Sequence, residues 1–184
     1  WQDGVCVIPV SPMLEQHSIH AYFNTCPESP DGRWVLYFVS TTPEGHLGEV
    51  HILNRVTGEV RVLARGVETE DAHRAACQQW VSGGQRVVFH DFRDETWVVV
   101  AVDVETLEER VLAEGRQLAW GEPAGNLVPI YGMHWNPGAH RDLELLDVES
   151  GGVQTIVTVD RVQEAYSDWI SRQFGTSPVS IFFP

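Results

Sequence analysis

The side chains with the widest chemical reach in this 184-residue chain are its eight histidines and its arginines, which supply all twelve of the basic residues. His17, His20, His46, His73, His90, His134 and His140 fall in polar segments between runs of alternating apolar residues, and only His51 lies inside such a run. Arg74, Arg93, Arg141, Tyr22 and Trp135 share those segments. An imidazole titrates near neutrality and can take a proton from carbon. A guanidinium fork holds a carboxylate and steadies the charge that develops on it, and a phenol or second imidazole can return a proton to a departing oxygen. Together these groups suit elimination beside a carboxylate. The expected assignment is His20, His73, His90 and Tyr22 as catalytic residues, with Arg74, Arg93, His134, Trp135 and Arg141 binding substrate. No metal ligands are assigned, because the His17-x-x-His20 spacing has no fixed face on a strand or loop. Connecting segments are polar in any fold, so the assignment depends on a fold that brings these segments to one place.

A repeat supplies such a fold. "NRVTGEVRVLARG" at 54–66, "DVETLEERVLAEG" at 103–115 and "DVESGGVQTIVTVD" at 147–160 share one pattern. An apolar alternation ends at Asn54, Asp103 or Asp147, then Thr57, Thr106 or Ser150 follows three residues later, and a second alternation begins. Period-two alternation marks half-buried strands and the polar break marks a tight turn, so each copy reads as a β-hairpin. A further hairpin precedes each copy, at 26–38, 78–89 and 120–131, with turns at Asp31-Gly32, Gly83-Gly84 and Gly125-Asn126. Another hairpin start is read at 168–183. The unit is four strands long, repeating after 49 and then 44 residues, as the blades of a β-propeller do. A two-layer sandwich predicts no such recurrence of turn chemistry.

The expected fold is therefore all-β: a propeller of four-stranded antiparallel blades at about 21–64, 74–113 and 116–159, with an incomplete blade from 162 to 184. The whole of 1–184 is read as a single partial propeller domain. Three and a half blades leave sheet edges open, so the chain reads as part of a larger ring that further blades complete. The only helical signal is at 67–78, where a loop fits equally well. In a propeller the connections leading into each first strand and those joining second to third strands meet around the mouth of the central channel. That mouth is where the histidine-bearing segments are expected to gather.

Composition narrows the partners. A net charge of −14 opposes the counterion release that drives nucleic-acid binding, and no apolar run is long enough to span a membrane. Three cysteines without C-x-x-C spacing indicate buried free thiols and lean toward a reducing, cytoplasmic setting. No G-x-S-x-G elbow, phosphate-binding loop or H-E-x-x-H motif occurs.

"SPDGRWVLYF" at 29–38 resembles the repeat of TolB-like, WD40-like propellers. "VDVETLEERVL" at 102–112, following "HSIHAYFNTCPESPDGRWVLYF" at 17–38, resembles the oligogalacturonate lyase family of seven-bladed propellers. The second resemblance implies β-elimination on uronate-containing, pectin-derived oligosaccharides, with a histidine base and arginines. It also implies manganese, held by residues of later blades outside this chain. Two other readings are a non-catalytic TolB-like binding propeller and the propeller of a serine peptidase.

Overall fold

The computed structural model describes Gly4 and residues 9–12, 15–23, 25–133 and 138–175. Strands β1 (His17–Ile19), β2 (Trp34–Ser40), β3 (Leu47–Asn54) and β4 (Val60–Glu68) form one four-stranded sheet. Strands β5 (Gln79–Val81), β6 (Arg86–Arg93), β7 (Thr96–Asp103) and β8 (Glu109–Glu114) form a second. Strands β9 (Gln117–Leu118), β10 (Leu127–Tyr131), β11 (Leu143–Asp147) and β12 (Val153–Val157) form a third. All neighbours are antiparallel and adjacent in sequence. Three such sheets in a row are propeller blades, as the repeat predicts.

The repeated hairpin has one physical cause. Asn54 Oδ1 accepts from the backbone N–H groups of Val56 and Thr57 at 2.9 and 3.0 Å. Asp103 Oδ1 does the same for Glu105 and Thr106 at 3.0 and 2.9 Å, and Asp147 Oδ1 for Glu149 and Ser150 at 2.9 and 3.0 Å. The hydroxyls of Thr57, Thr106 and Ser150 then accept the N–H two residues further on. Side-chain oxygens thus replace the backbone partners that a tight turn removes. The next position requires a left-handed backbone, met by glycine at Gly58 and Gly151 but by Leu107, at φ 60°, in the second sheet.

Alternation sets the core. Leu36, Phe38, Val50 and Ile52 of the first sheet pack against Trp80, Val87, Phe89 and Val100 of the second. The other face of the second sheet, with Val88, Val99 and Ala101, packs on Leu118, Val128, Ile130 and Leu146 of the third. Polar side chains join the sheets at their short first strands. Gln79 donates Nε2–H to the Ala119 carbonyl at 3.0 Å and accepts the Gly121 N–H at 2.8 Å, while Trp80 Nε1–H donates to the Pro27 carbonyl at 2.8 Å. Arg61 and Arg110 occupy equivalent positions and each reaches the turn of the following sheet, at Val104 and Glu105 and at Glu149 and Ser150.

Two expectations need correction. The first sheet begins at His17, ahead of residue 21, because its first strand is split: β1 pairs with the end of β2, and the strand resumes as a Glu28–Val35 bridge after an excursion over residues 20–27. Of the two forms open to residues 67–78, helix or loop, they take the second: β4 runs into them and a turn follows, with Ala75 and Cys77 at φ 48° and 53°. The hairpin start read at 168–183 does not form over its first half. Residues Val159–Phe174 make a helix, α1, while 176–183 lie outside the described residues. The helix is set by its ends. Thr158 accepts the Arg161 N–H at its start, and Gly175, at φ 67°, closes it in the left-handed conformation. Among the described residues no helix is long and apolar enough to cross a membrane.

Candidate functional site

The connection from β4 into β5 is anchored before it turns. The Glu68 N–H donates to Asp91 Oδ1 at 2.7 Å and the Thr69 hydroxyl to the Gly45 carbonyl at 2.6 Å. Asp71 Oδ1 then accepts the N–H groups of His73 and Arg74 at 2.8 and 3.3 Å. The left-handed residues Ala75 and Cys77 follow, and such backbone is costly for residues with a Cβ. The result leaves His73 exposed and turns Arg74 toward the third sheet.

There the Arg74 guanidinium donates to the Tyr131 hydroxyl, and at 2.8 Å to the Leu118 carbonyl. Cys77 Sγ also donates to that carbonyl, at 3.3 Å. Leu118 lies in β9, whose outer edge faces no further strand. Arg74 and Cys77 saturate its free carbonyl, and His90 Nδ1 accepts its free N–H at 3.2 Å. Arginines 55, 61, 65, 86, 93 and 116 each contact a carboxylate. Arg74, mostly enclosed, forms no ion pair among the described residues and leaves its Nε without a partner. Beside it Gln117, opposite Tyr131 in the register, has neither amide atom satisfied at 0% exposure.

An aromatic wall stands next to this cation. The excursion 20–27 carries Tyr22 across to the second and third sheets. Its ring lies parallel to Trp120, interplanar angle 3° and centroids 6.1 Å apart, and edge-on to His73 at 4.8 Å. The Arg74 Cζ is 6.0 Å from the Trp120 ring centroid and 5.7 Å from that of Tyr131. Tyr22, His73, Trp120, Arg74 and Tyr131 thus form one group: a phenol, an imidazole and a cation without counter-charge, walled by aromatic rings.

Of the residues expected at this site, the structure brings Tyr22, His73 and Arg74 together. His20 is exposed on the far side of the first sheet's edge, at a separate cavity. Arg93 is occupied by Asp91 at 2.6 Å and by Glu109. Arg141 is exposed in the β10–β11 connection, and His134 and Trp135 lie outside the described residues. His90 is buried in the interior, where it serves the sheet seam. Burial, and then the nearby Arg74 cation, push its pKa down to about 3, so it is a neutral hydrogen-bond acceptor. Burial likewise drives the Cys77 thiol up to about 12, against the influence of Arg74, and raises the Tyr131 phenol. A groove of about 340 Å³ near the Ser29–Gly32 turn, lined by Cys26, Gln79, Trp80 and Ala124, contains none of the expected residues.

Trp120 and Tyr131 are not among the residues that the sequence singles out. A signal for Tyr131 existed. Aligning the repeats on Asp103 and Asp147 places Tyr131 where the second sheet has His90. Among the described residues no three His, Cys, Asp or Glu side chains gather as a metal site requires. The manganese that the resemblance implies therefore finds no fitting donor set here, and no step is routed through it.

No family model matches the chain, and no curated protein matches it. Solved structures do resemble it. TolB from Acinetobacter baumannii superposes with a TM-score of 0.54 at 12% identity, covering 77% of this chain and 32% of its own. The oligogalacturonate lyase from Vibrio parahaemolyticus gives 0.54 at 17% identity, covering 78% and 41%. The AtxE2 isopeptidase gives 0.53 at 12% identity, covering 81% and 31%.

Proposed function

We propose that this chain, which has the fold of TolB-like and oligogalacturonate lyase propellers and spans less than half the length of the three structures compared, contributes the channel-mouth site of a propeller that binds uronate-containing oligosaccharides and cleaves them by β-elimination. The observation that carries this reading is Arg74: an enclosed cation with no carboxylate partner among the described residues, set beside an aromatic wall and an exposed imidazole. A buried charge without a counter-ion is unfavourable, and an arriving carboxylate relieves it. Aromatic faces such as Trp120 and Tyr22 suit the apolar face of a sugar ring.

In this reading Arg74 holds the uronate carboxylate and steadies the charge that spreads onto it as the neighbouring ring carbon loses its proton. His73 takes that proton, the bond from the adjacent carbon to the glycosidic oxygen breaks, and Tyr22 donates its hydroxyl proton to the departing oxygen. The products are a new chain end and an unsaturated uronate, and return of the proton from His73 to Tyr22 resets the site.

The test follows formation of the unsaturated product by its ultraviolet absorbance, on galacturonan oligomers, with and without manganese, in the complete protein. The lyase reading predicts product and its loss in His73→Ala. A protein that binds the oligomers without forming product is a binding propeller instead. The interior position of His90, which removes one expected base, favours that alternative.

A further inference from the structure

The first sheet contains a polar pair where the second sheet has an apolar one. Leu36, Phe38, Val50 and Ile52 face the second sheet, so alternation sends Val35, Tyr37, Val39 and His51 to the opposite face. Tyr37 and His51 stand directly across from each other in the register. The repeat places the equivalent pairs at Phe89 and Val100 in the second sheet and at Ile130 and Glu144 in the third. Phe89 and Val100 are buried in the core, which shows that the blade needs nothing polar there.

Tyr37 and His51 are buried just as deeply, at 3% and 2% exposure, yet neither the Tyr37 hydroxyl nor His51 Nδ1 has a hydrogen-bond partner. Buried polar groups are nearly always satisfied, so two unmet groups on one cross-strand pair indicate a missing partner. The imidazole is also oriented. His51 Nε2 lies 2.7 Å from Glu49 Oε2, and Arg65 holds the other Glu49 oxygen at 2.6 Å. A carboxylate only accepts, so Nε2–H donates to Glu49, and Nδ1 is the ring nitrogen left without a partner. Tyr37, though not His51, lines a cavity of about 160 Å³ whose other walls include Val10, Ile19, Pro27 and Val35 together with Ser11, Ser18 and His20. The pair thus carries two unmet polar atoms, one of them on a wall residue of a mostly apolar space.

We propose that this is a binding site for a small neutral molecule bearing a hydroxyl on an apolar body, an alcohol or a phenol. The ligand hydroxyl, able both to donate and to accept, pairs with the Tyr37 hydroxyl and with His51 Nδ1, while its body fills the cavity. The site lies on the face of the first sheet away from Arg74 and is independent of the channel-mouth cluster.

The experiment titrates the ¹⁵N-labelled 184-residue chain with phenol and, separately, with toluene, which has the same shape without the hydroxyl. Phenol is expected to bind saturably, to move the His51 Nδ1 resonance, and to bind at least about tenfold more tightly than toluene, a single hydrogen-bond's worth of preference. Replacing the pair with that of the second sheet, Tyr37→Phe with His51→Val, is expected to abolish the preference while toluene binds at least as well as before. Toluene binding as tightly as phenol overturns the proposal. So does phenol leaving His51 unmoved, as when a trapped water already satisfies the pair, and so does a double variant that keeps the preference. Should the double variant fail to fold, the selectivity of the native chain and of Tyr37→Phe alone decides by the same criteria.

Discussion

Arg74 donates to the hydroxyl of Tyr131 across the seam between the second and third sheets, and among the described residues it forms no ion pair. One end of the guanidinium therefore works structurally, closing the edge of β9 through Leu118, while the proposed function gives its charge to an anion. Tyr131→Phe removes the acceptor and leaves a charged donor facing an apolar ring. We expect a loss of about 1.5–3 kcal/mol in unfolding free energy, measured by denaturant titration. Arg74→Lys keeps the charge but cannot span both acceptors, so it is expected to destabilise by a similar amount.

His90 sets an acid limit on stability. Its folded-state pKa of about 3 lies below the ordinary histidine value of 6.5, so the unfolded chain takes up the proton more readily. The stabilisation is complete above about pH 6.5 and is lost as pH falls toward 3, amounting to about 2 kcal/mol by pH 5. The lowered carboxylates Asp103, Asp147 and Glu149 weaken the fold in the same direction, but only below their ordinary values of 3.8 to 4.5. The window between pH 6.5 and 4.5 thus belongs mainly to His90, with a smaller part from the less enclosed His140, whose pKa burial also lowers. His90→Gln, which retains an acceptor for the Leu118 N–H, is expected to flatten the profile in that window. An unchanged slope would assign the acid sensitivity elsewhere.

The turn repeat predicts a stabilising substitution. Leu107 occupies a position with φ 60° that the sister turns fill with Gly58 and Gly151. Leu107→Gly removes strain of about 1–2 kcal/mol against an entropic cost of at most about 1 kcal/mol, for a small net gain in thermal unfolding. Asp103→Ala, which deprives Glu105 and Thr106 of their acceptor, is expected to cost about 1–2 kcal/mol.

The thiols should differ in reactivity. Cys26 is exposed, whereas Cys77 is buried with its pKa driven up to about 12. Because the thiolate is the nucleophile, iodoacetamide at pH 8 should label Cys26 and spare Cys77 in the folded chain, as peptide mass spectrometry reads out. Equal labelling of both would mean that the seam around Leu118 opens in solution.

The three sheets were legible because their turns are local: an Asx oxygen, a hydroxyl three residues on and an alternation on each side are all short-range features. The site was legible only in part, because its members are joined by long-range packing. Tyr22 reaches Trp120 through an excursion whose eight residues face only two of β2, a mismatch that no local pattern announces. His90 opens the polar segment 90–96 and looked available, but its place on β6 turns it inward to serve the next sheet's backbone. Arg93 was read as a binding residue, whereas neighbouring carboxylates occupy it. At 168–183 a hairpin start was expected, and the caps of Thr158 and Gly175 instead frame a helix over Val159–Phe174.

The most direct test of the channel-mouth assignment is calorimetric titration of the chain with trigalacturonate and with the neutral trisaccharide of galactose, each repeated on Arg74→Gln, which removes the charge. The account predicts that trigalacturonate binds at least about tenfold more tightly than the neutral sugar, the scale of one desolvated charge-assisted contact, and that Arg74→Gln erases most of that difference. Equal affinity for the two sugars, or a preference that survives Arg74→Gln, would contradict it.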